Sequence, residues 1–181
     1  MSNILLVSAT KLEHHDEELF GIPIHIVGIG KVESALNTYK LIQKYKPDHV
    51  VNFGSCGNLG KSKVGEVIRV GEVHDDFDGC VVPQHPTLYI LPRSRMSGYK
   101  LFSTDTFYKK DASYSEHYTK KIEECHIVDM EGYSIANVCL SNNVDVSIYK
   151  WISDDGDSSD WLSNASIGYS NFKEIFKEQW L

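Results

Sequence analysis

The 181-residue sequence has little of what several protein classes require. Its four cysteines, Cys56, Cys80, Cys125 and Cys139, lie far apart with no CxxC pair, and they read as free, buried thiols rather than a disulfide framework. Among zinc-binding residue types only His14 and His15 are close, and adjacent residues seldom chelate one ion together, so no metal is expected. With Gly 13 and Pro 5, the chain is too poor in both to be collagen-like or low-complexity. No basic run exceeds two residues, and acids outnumber bases 25 to 18 for a net charge of −7. A nucleic-acid backbone calls for clustered cations, so no nucleic-acid partner is expected. No apolar run approaches the roughly 18 residues of a membrane span, and the opening MSNILLVSATKLEHH has neither a basic n-region nor a long h-region. The expectation is a cytoplasmic chain with no membrane segment and no secretory signal.

What is present reads as one domain over residues 1–181, within the usual range of roughly 100–200 residues. Ile4–Val7 is a short apolar run that predicts a buried strand, and Ile22–Ile29 predicts a second. From Lys31 to Lys44, Val32, Ala35, Leu36, Tyr39 and Ile42 recur at helical steps until Pro47 stops the pattern. His49–Phe53 predicts a third strand, broken by the glycine-rich GSCGNLG, and alternation over Val67–Val73 predicts a fourth. Residues 79–98 hold three of the five prolines and no period, which predicts a loop with one short edge strand. A strand is predicted over 99–103, a polar helix over Ser115–Cys125, and a helix over Met130–Leu140 with Ile135, Val138 and Cys139 on one face. Val144–Ile152 predicts the last strand and Ser170–Leu181 a short amphipathic helix. Strands alternating with helices predict an α/β fold: a three-layer αβα sandwich around a mixed, mostly parallel sheet.

Ligands in such folds sit outside the carboxyl ends of the strands. The residues there are Ala9–Glu13, Gly28–Gly30, Gly54–Gly57, Asp105–Phe107, Asp129–Glu131 and Ser153–Asp155. Carboxylates, glycine turns and an aromatic would converge on one crevice, which is the composition of a site.

These strand ends resemble the nucleoside phosphorylase/hydrolase superfamily, and within it the methylthioadenosine/adenosylhomocysteine nucleosidases and futalosine hydrolases. The resemblance rests on Gly28-Ile-Gly-Lys-Val32 with Ala35, Asn52-Phe-Gly-Ser-Cys-Gly57, Lys63-Val-Gly65, Asp129-Met-Glu131 and Ile152-Ser-Asp154, which occur in the family's order. Segments 13–28, 78–99 and the tail after Asp157 are shorter than is usual in the family, as in a trimmed member. The resemblance implies a purine nucleoside as the small-molecule partner, no cofactor, and a homodimer. The apolar Leu88-Tyr-Ile-Leu91 would need cover in such a dimer.

Cleaving an N-glycosidic bond passes through a cationic ribosyl centre and a leaving purine. By the resemblance, Asp154, preceded by Ser153, is the acid that protonates the base. Its expected pKa is raised by burial beside Trp151 and Ile152 and by the charges of Asp155 and Asp157. An acidic turn closing a strand would show the same residues. Glu13 aligns with the carboxylate that orients the attacking water, with Glu17 and Glu18 as alternatives. Glu131 matches the ligand of the ribose hydroxyls, and Met130 would pack on the ribose face. Phe107 would stack on the base and Tyr108 would offer its backbone, although Met130 and Phe107 also suit core positions. Ser55 and Gly57 allow close backbone approach to the sugar, and Lys150 stands where nucleosidases commonly carry an arginine near the water.

Phosphorolysis instead needs arginines or a glycine nest aimed at phosphate. Where the related phosphorylases place such ligands, this chain has Asn52 and Ser8–Glu13. The hydrolase reading is therefore preferred. A phosphorylase with other ligands and a catalytically idle nucleoside-binding protein are the alternatives. The string Leu5–Glu13 looks closer to futalosine hydrolases, and the residues leave the choice of purine nucleoside open.

Overall fold

A computed structural model describes residues 3–77, 88–91 and 98–181. The expected α/β architecture is present. The strands are β1 (Ile4–Ser8), β2 (Glu18–Leu19), β3 (Ile22–Ile26), β4 (His49–Asn58), β5 (Val67–Arg69), β6 (Glu72–Asp75), β7 (Leu88–Ile90), β8 (Lys100–Ser103), β9 (Ile127–Asp129) and β10 (Asp145–Asp154). The helices are α1 (Lys31–Tyr45), α2 (Glu116–Glu124), α3 (Gly132–Ser141), α4 (Ser158–Asn164) and α5 (Tyr169–Trp180). The strands run in the order β2-β3-β1-β4-β9-β8-β6-β7, with β10 on the other edge of β4 and β5 beyond it. At the centre, β3, β1, β4 and β10 are parallel, as are β9, β8 and β6.

Strand alternation sends residues to two cores. Val50, Ile148, Ile152 and Leu101 pack with Tyr133, Ile135 and Cys139 of α3 on one face. Val51, Phe53 and Trp151 meet Tyr169, Phe172 and Phe176 of α5 on the other, and Phe102 meets α2 residues on that same side. Cys56, Cys125 and Cys139 are buried and free. Among the described residues, no helix is long and apolar enough to cross a membrane.

The structure corrects four readings of the sequence. The glycine-rich stretch does not break β4, because Gly54 and Gly57 are strand residues whose missing Cβ atoms leave space for Glu13 and Val128. Val67–Val73 is two strands: Val70 N–H still bonds Ile148 O next to β10, and Gly71 N–H has already crossed to Tyr99 O. The apolar stripe of α1 faces outward. Val32 is 79% exposed and Leu36 and Tyr39 are exposed too, whereas Ser34, Thr38 and Ile42 are buried. Ser34 Oγ meets Ser134 Oγ at 2.7 Å, so small hydroxyls let α1 and α3 pack closely. Finally, Leu91 needs no outside cover, since it is buried in this chain, while Ile90 is exposed. The expected edge strand is β7, antiparallel to β6. Apart from Leu91 and Gly98, the loop expected over the rest of 79–98, with Cys80, falls outside the described residues.

Candidate active site

The site begins with a gap in strand pairing. One edge of β4 pairs with β1 as far as Asn52 and with β9 only from Gly57. The unpaired stretch between them forms one wall of a cavity of about 200 Å³. Its lining comes from the ends of the central strands: Ala9, Thr10 and Glu13 after β1, Ser55–Gly57 of β4, Thr104, Phe107 and Tyr108 after β8, Val128–Glu131 around the end of β9, and Asp154 of β10. Ile29, before α1, and Trp161, on α4, complete it.

Glu13 fills the pairing gap. A short 3₁₀ turn over Lys11–Glu13, capped by Thr10, swings its side chain back onto β4. Oε1 accepts from Ser55 N–H at 2.7 Å and Ser55 Oγ at 2.8 Å, and Oε2 from Ser8 Oγ at 2.7 Å and Ala9 N–H at 3.2 Å. A Cβ at Gly54 would lie 2.6 and 2.7 Å from the carboxylate oxygens, so the glycine is what admits them. Glu17 and Glu18 are exposed, and Glu17 pairs with Lys11 outside the cavity.

Asp154 ends β10 at a register shift and comes opposite Gly57. The residue is 2% exposed, its carboxylate accepting from Gly156 N–H on Oδ1 at 2.8 Å and from the Ser153 hydroxyl on Oδ2 at 2.8 Å. Burial pushes its pKa above the ordinary aspartate value and Asp155 adds to this, while the bonds from Ser153 and Gly156 pull against it. The expected contribution of Asp157 is not found. Its side chain caps α4 through Ser159 N–H, and its backbone lowers the Asp154 pKa.

Glu131 follows β9 and accepts Gly30 N–H at 2.9 Å, a bond made possible by the positive φ of +88° with which Gly30 begins α1. Beneath it, Asp129 takes Ser103 Oγ at 2.6 Å and Gly132 N–H at 2.9 Å, which fixes the start of α3 two residues later than expected. Lys150 Nζ pairs with Asp129 Oδ2 at 2.9 Å, both side chains 1% exposed. Burial by itself would depress the Lys150 ammonium, but Asp129, Glu131 and Glu13 hold its pKa above the ordinary lysine value. Burial and then the charge of Asp129 push Glu131 up to about 8, against the pull of Lys150.

The family model of the phosphorylase superfamily matches residues 20–93. A 5′-methylthioadenosine/S-adenosylhomocysteine nucleosidase of Buchnera aphidicola is 29% identical over 170 residues, covering 81% of this chain and 69% of that one. The chain is similar in sequence to members of this superfamily. A second nucleosidase of the same name, from Chromohalobacter salexigens, is 41% identical over 86 residues, covering 41% of this chain and 37% of that one. In fold, the chain matches the Neisseria meningitidis nucleosidase in complex with methylthio-immucillin-A, with TM-score 0.80, 22% identity and 98% of both chains covered. It matches the futalosine hydrolase of Helicobacter pylori with TM-score 0.78, 19% identity and 98% coverage of both.

Of the residues singled out in the sequence, Glu13, Ser55, Gly57, Phe107, Tyr108, Met130, Glu131 and Asp154 line the cavity. Lys150 and Ser153 do not; they stand behind it, neutralising Asp129 and holding Asp154. Asp105 turns out toward Lys31 at 3.6 Å, and Asp155 accepts Asn58 Nδ2 at 2.7 Å. Trp161 was missed. Its signal is Asp157, a capping residue that opens a helix directly after the Asp154 strand end.

The buried acids give a pH test. With its folded pKa above its unfolded one, Glu131 keeps its proton in the fold after the unfolded chain has lost it. It therefore destabilises the folded chain progressively as pH rises from about 4.5 to about 8, and not below that window. Glu131→Gln, which has no such titration, is expected to gain melting temperature over the parent as pH rises from 5 to 9, by on the order of 10 °C. A difference that stays flat with pH contradicts this.

Proposed function

We propose that this chain is a purine nucleoside N-ribosyl hydrolase of the methylthioadenosine/adenosylhomocysteine or futalosine type, a single cytoplasmic domain that works as a homodimer. The carrying observation is the composition of the cavity lining. Glu13, Asp129, Glu131 and Asp154 line it, and among the described lining residues there is no Lys or Arg. Such a wall gives phosphate no cation to bind, while the Glu13 carboxylate suits a developing ribosyl cation. Lys31, from the glycine turn, is engaged by Asp75 at 2.6 Å and by Asp76.

Asp154, its pKa raised by burial, donates its proton to the purine so that the base leaves neutral. Glu13 holds the water and takes its proton as the new C–O bond forms. The two carboxylates are anchored at Ser55 and opposite Gly57, two strand positions or about 7 Å apart. Glu131 meets the ribose hydroxyls, and its bonds strengthen as positive charge grows on the ring. Phe107, with its ring edge-on to Trp161 at 6.5 Å, provides the apolar surface for the base, and Met130 that for the sugar.

The homodimer is supported by the outward stripe Val32, Leu36 and Tyr39 of α1, which continues to Ile29 at the cavity. Sedimentation is expected to give a dimer; a monomer at working concentrations overturns that part. The activity is tested by purine release from methylthioadenosine, adenosylhomocysteine, inosine and futalosine in turn. Turnover of at least one is expected. Binding of any of them without purine release from any of them overturns the reading.

A further inference from the structure

Trp161 enters the cavity from outside the strand ends, and its indole is wired to Glu13. Nε1–H donates to Ser55 Oγ at 3.0 Å, and Ser55 Oγ lies 2.8 Å from Glu13 Oε1. An indole N–H only donates, and a hydroxyl has one proton. Ser55 therefore accepts from Trp161 and must give its proton to Glu13, so the chain runs in one direction from Trp161 through Ser55 to Glu13. Ser55 is buried, so its hydroxyl is ordered by these two partners rather than by solvent. Trp161 is itself fixed from both sides. Its backbone N–H bonds Asp157 O at 3.1 Å, and at the far end of α4 Asn164 Nδ2 donates to Ser153 O at 3.0 Å. Ser153 in turn holds Asp154, so α4 is bonded at one end to the acid's support and at its centre to the base's.

We infer that Trp161 is a positioning residue: its indole N–H sets the Ser55 hydroxyl and, through it, the orientation of the Glu13 carboxylate toward the attacking water. This rests on the reading of Glu13 as the group that holds that water. A residue that only walled the cavity would need ring area alone, which phenylalanine supplies.

Trp161→Phe keeps the aromatic wall and removes the donor. Its kcat is expected to fall about 3- to 10-fold, the scale of one neutral hydrogen bond, with KM within about twofold of the parent. In a Ser55→Ala background the same change is expected to cost no further rate, because the chain is already cut. A Trp161→Phe effect confined to KM, or an equal loss of kcat in both backgrounds, overturns the inference. Adenine or hypoxanthine binding by calorimetry, together with thermal melting, checks that each variant keeps its fold. Glu13→Gln in the same series separates the two levels. If it turns over at the parental rate, the reading of Glu13 fails and the inference with it. If it is inactive while Trp161→Phe has the parental kcat, the inference alone fails.

Discussion

Asp154→Asn is expected to abolish purine release while leaving the fold in place. A purine leaves as a poor anion unless it is protonated, and Asp154 is a buried acid in the cavity whose pKa is raised and whose carboxyl is held at a strand end, opposite Gly57. A well-placed general acid contributes on the order of 10²–10⁴ in rate, and asparagine has no proton to give. The amide fits the same space. Its oxygen can accept Gly156 N–H in place of Oδ1, and its N–H can donate to Ser153 Oγ, whose proton has a second acceptor in Cys56 O at 3.0 Å. Thermal melting should therefore move little while kcat falls below detection. A folded Asp154→Asn protein with a near-normal rate refutes the acid role.

Glu13→Gln is expected to lower turnover by roughly 10²-fold or more, with nucleoside binding far less affected. All four contacts of Glu13 come from donors, so it serves as an acceptor at both oxygens. The glutamine oxygen can retain the two bonds from Ser55. Its NH₂ then faces Ser8 Oγ, which can turn to accept, and Ala9 N–H, which already makes the longest of the four bonds at 3.2 Å. Size and most of the anchoring survive; the proton acceptor does not. Phe107 and Glu131 are untouched, so binding persists. The measurement is initial rate and nucleoside affinity for parent and variant side by side. An unaffected rate would mean that another group orients the water, and Glu17 and Glu18 are poorly placed to do so on the exposed surface.

The cavity residues proposed to carry chemistry were legible by position, because each sits beside or at the end of a visible apolar run: Glu13 after β1, Ser55 within β4, Asp154 at the end of β10. What was not legible depends on contacts distant in sequence. β4 continues through its glycines because Glu13 and Val128 pack where side chains would be. The three-residue β9 has no periodicity to read, and it forms by pairing with β8 and with the tip of β4. The apolar spacing of α1 is true to a helix but does not say which face turns inward, and the buried face is the one that presents Ser34 to Ser134. Trp161 was hidden for the same reason, since its bond to Ser55 spans 106 residues.

The central claim is that water, and not phosphate, attacks the sugar in this acidic cavity. It is tested most directly by the initial rate and sugar product of the unmodified protein, in phosphate-free buffer and again with millimolar phosphate. The account predicts the same rate in both and a free ribose, or its 5′-substituted form, as product. A rate that requires phosphate, with a ribose 1-phosphate product, would contradict it.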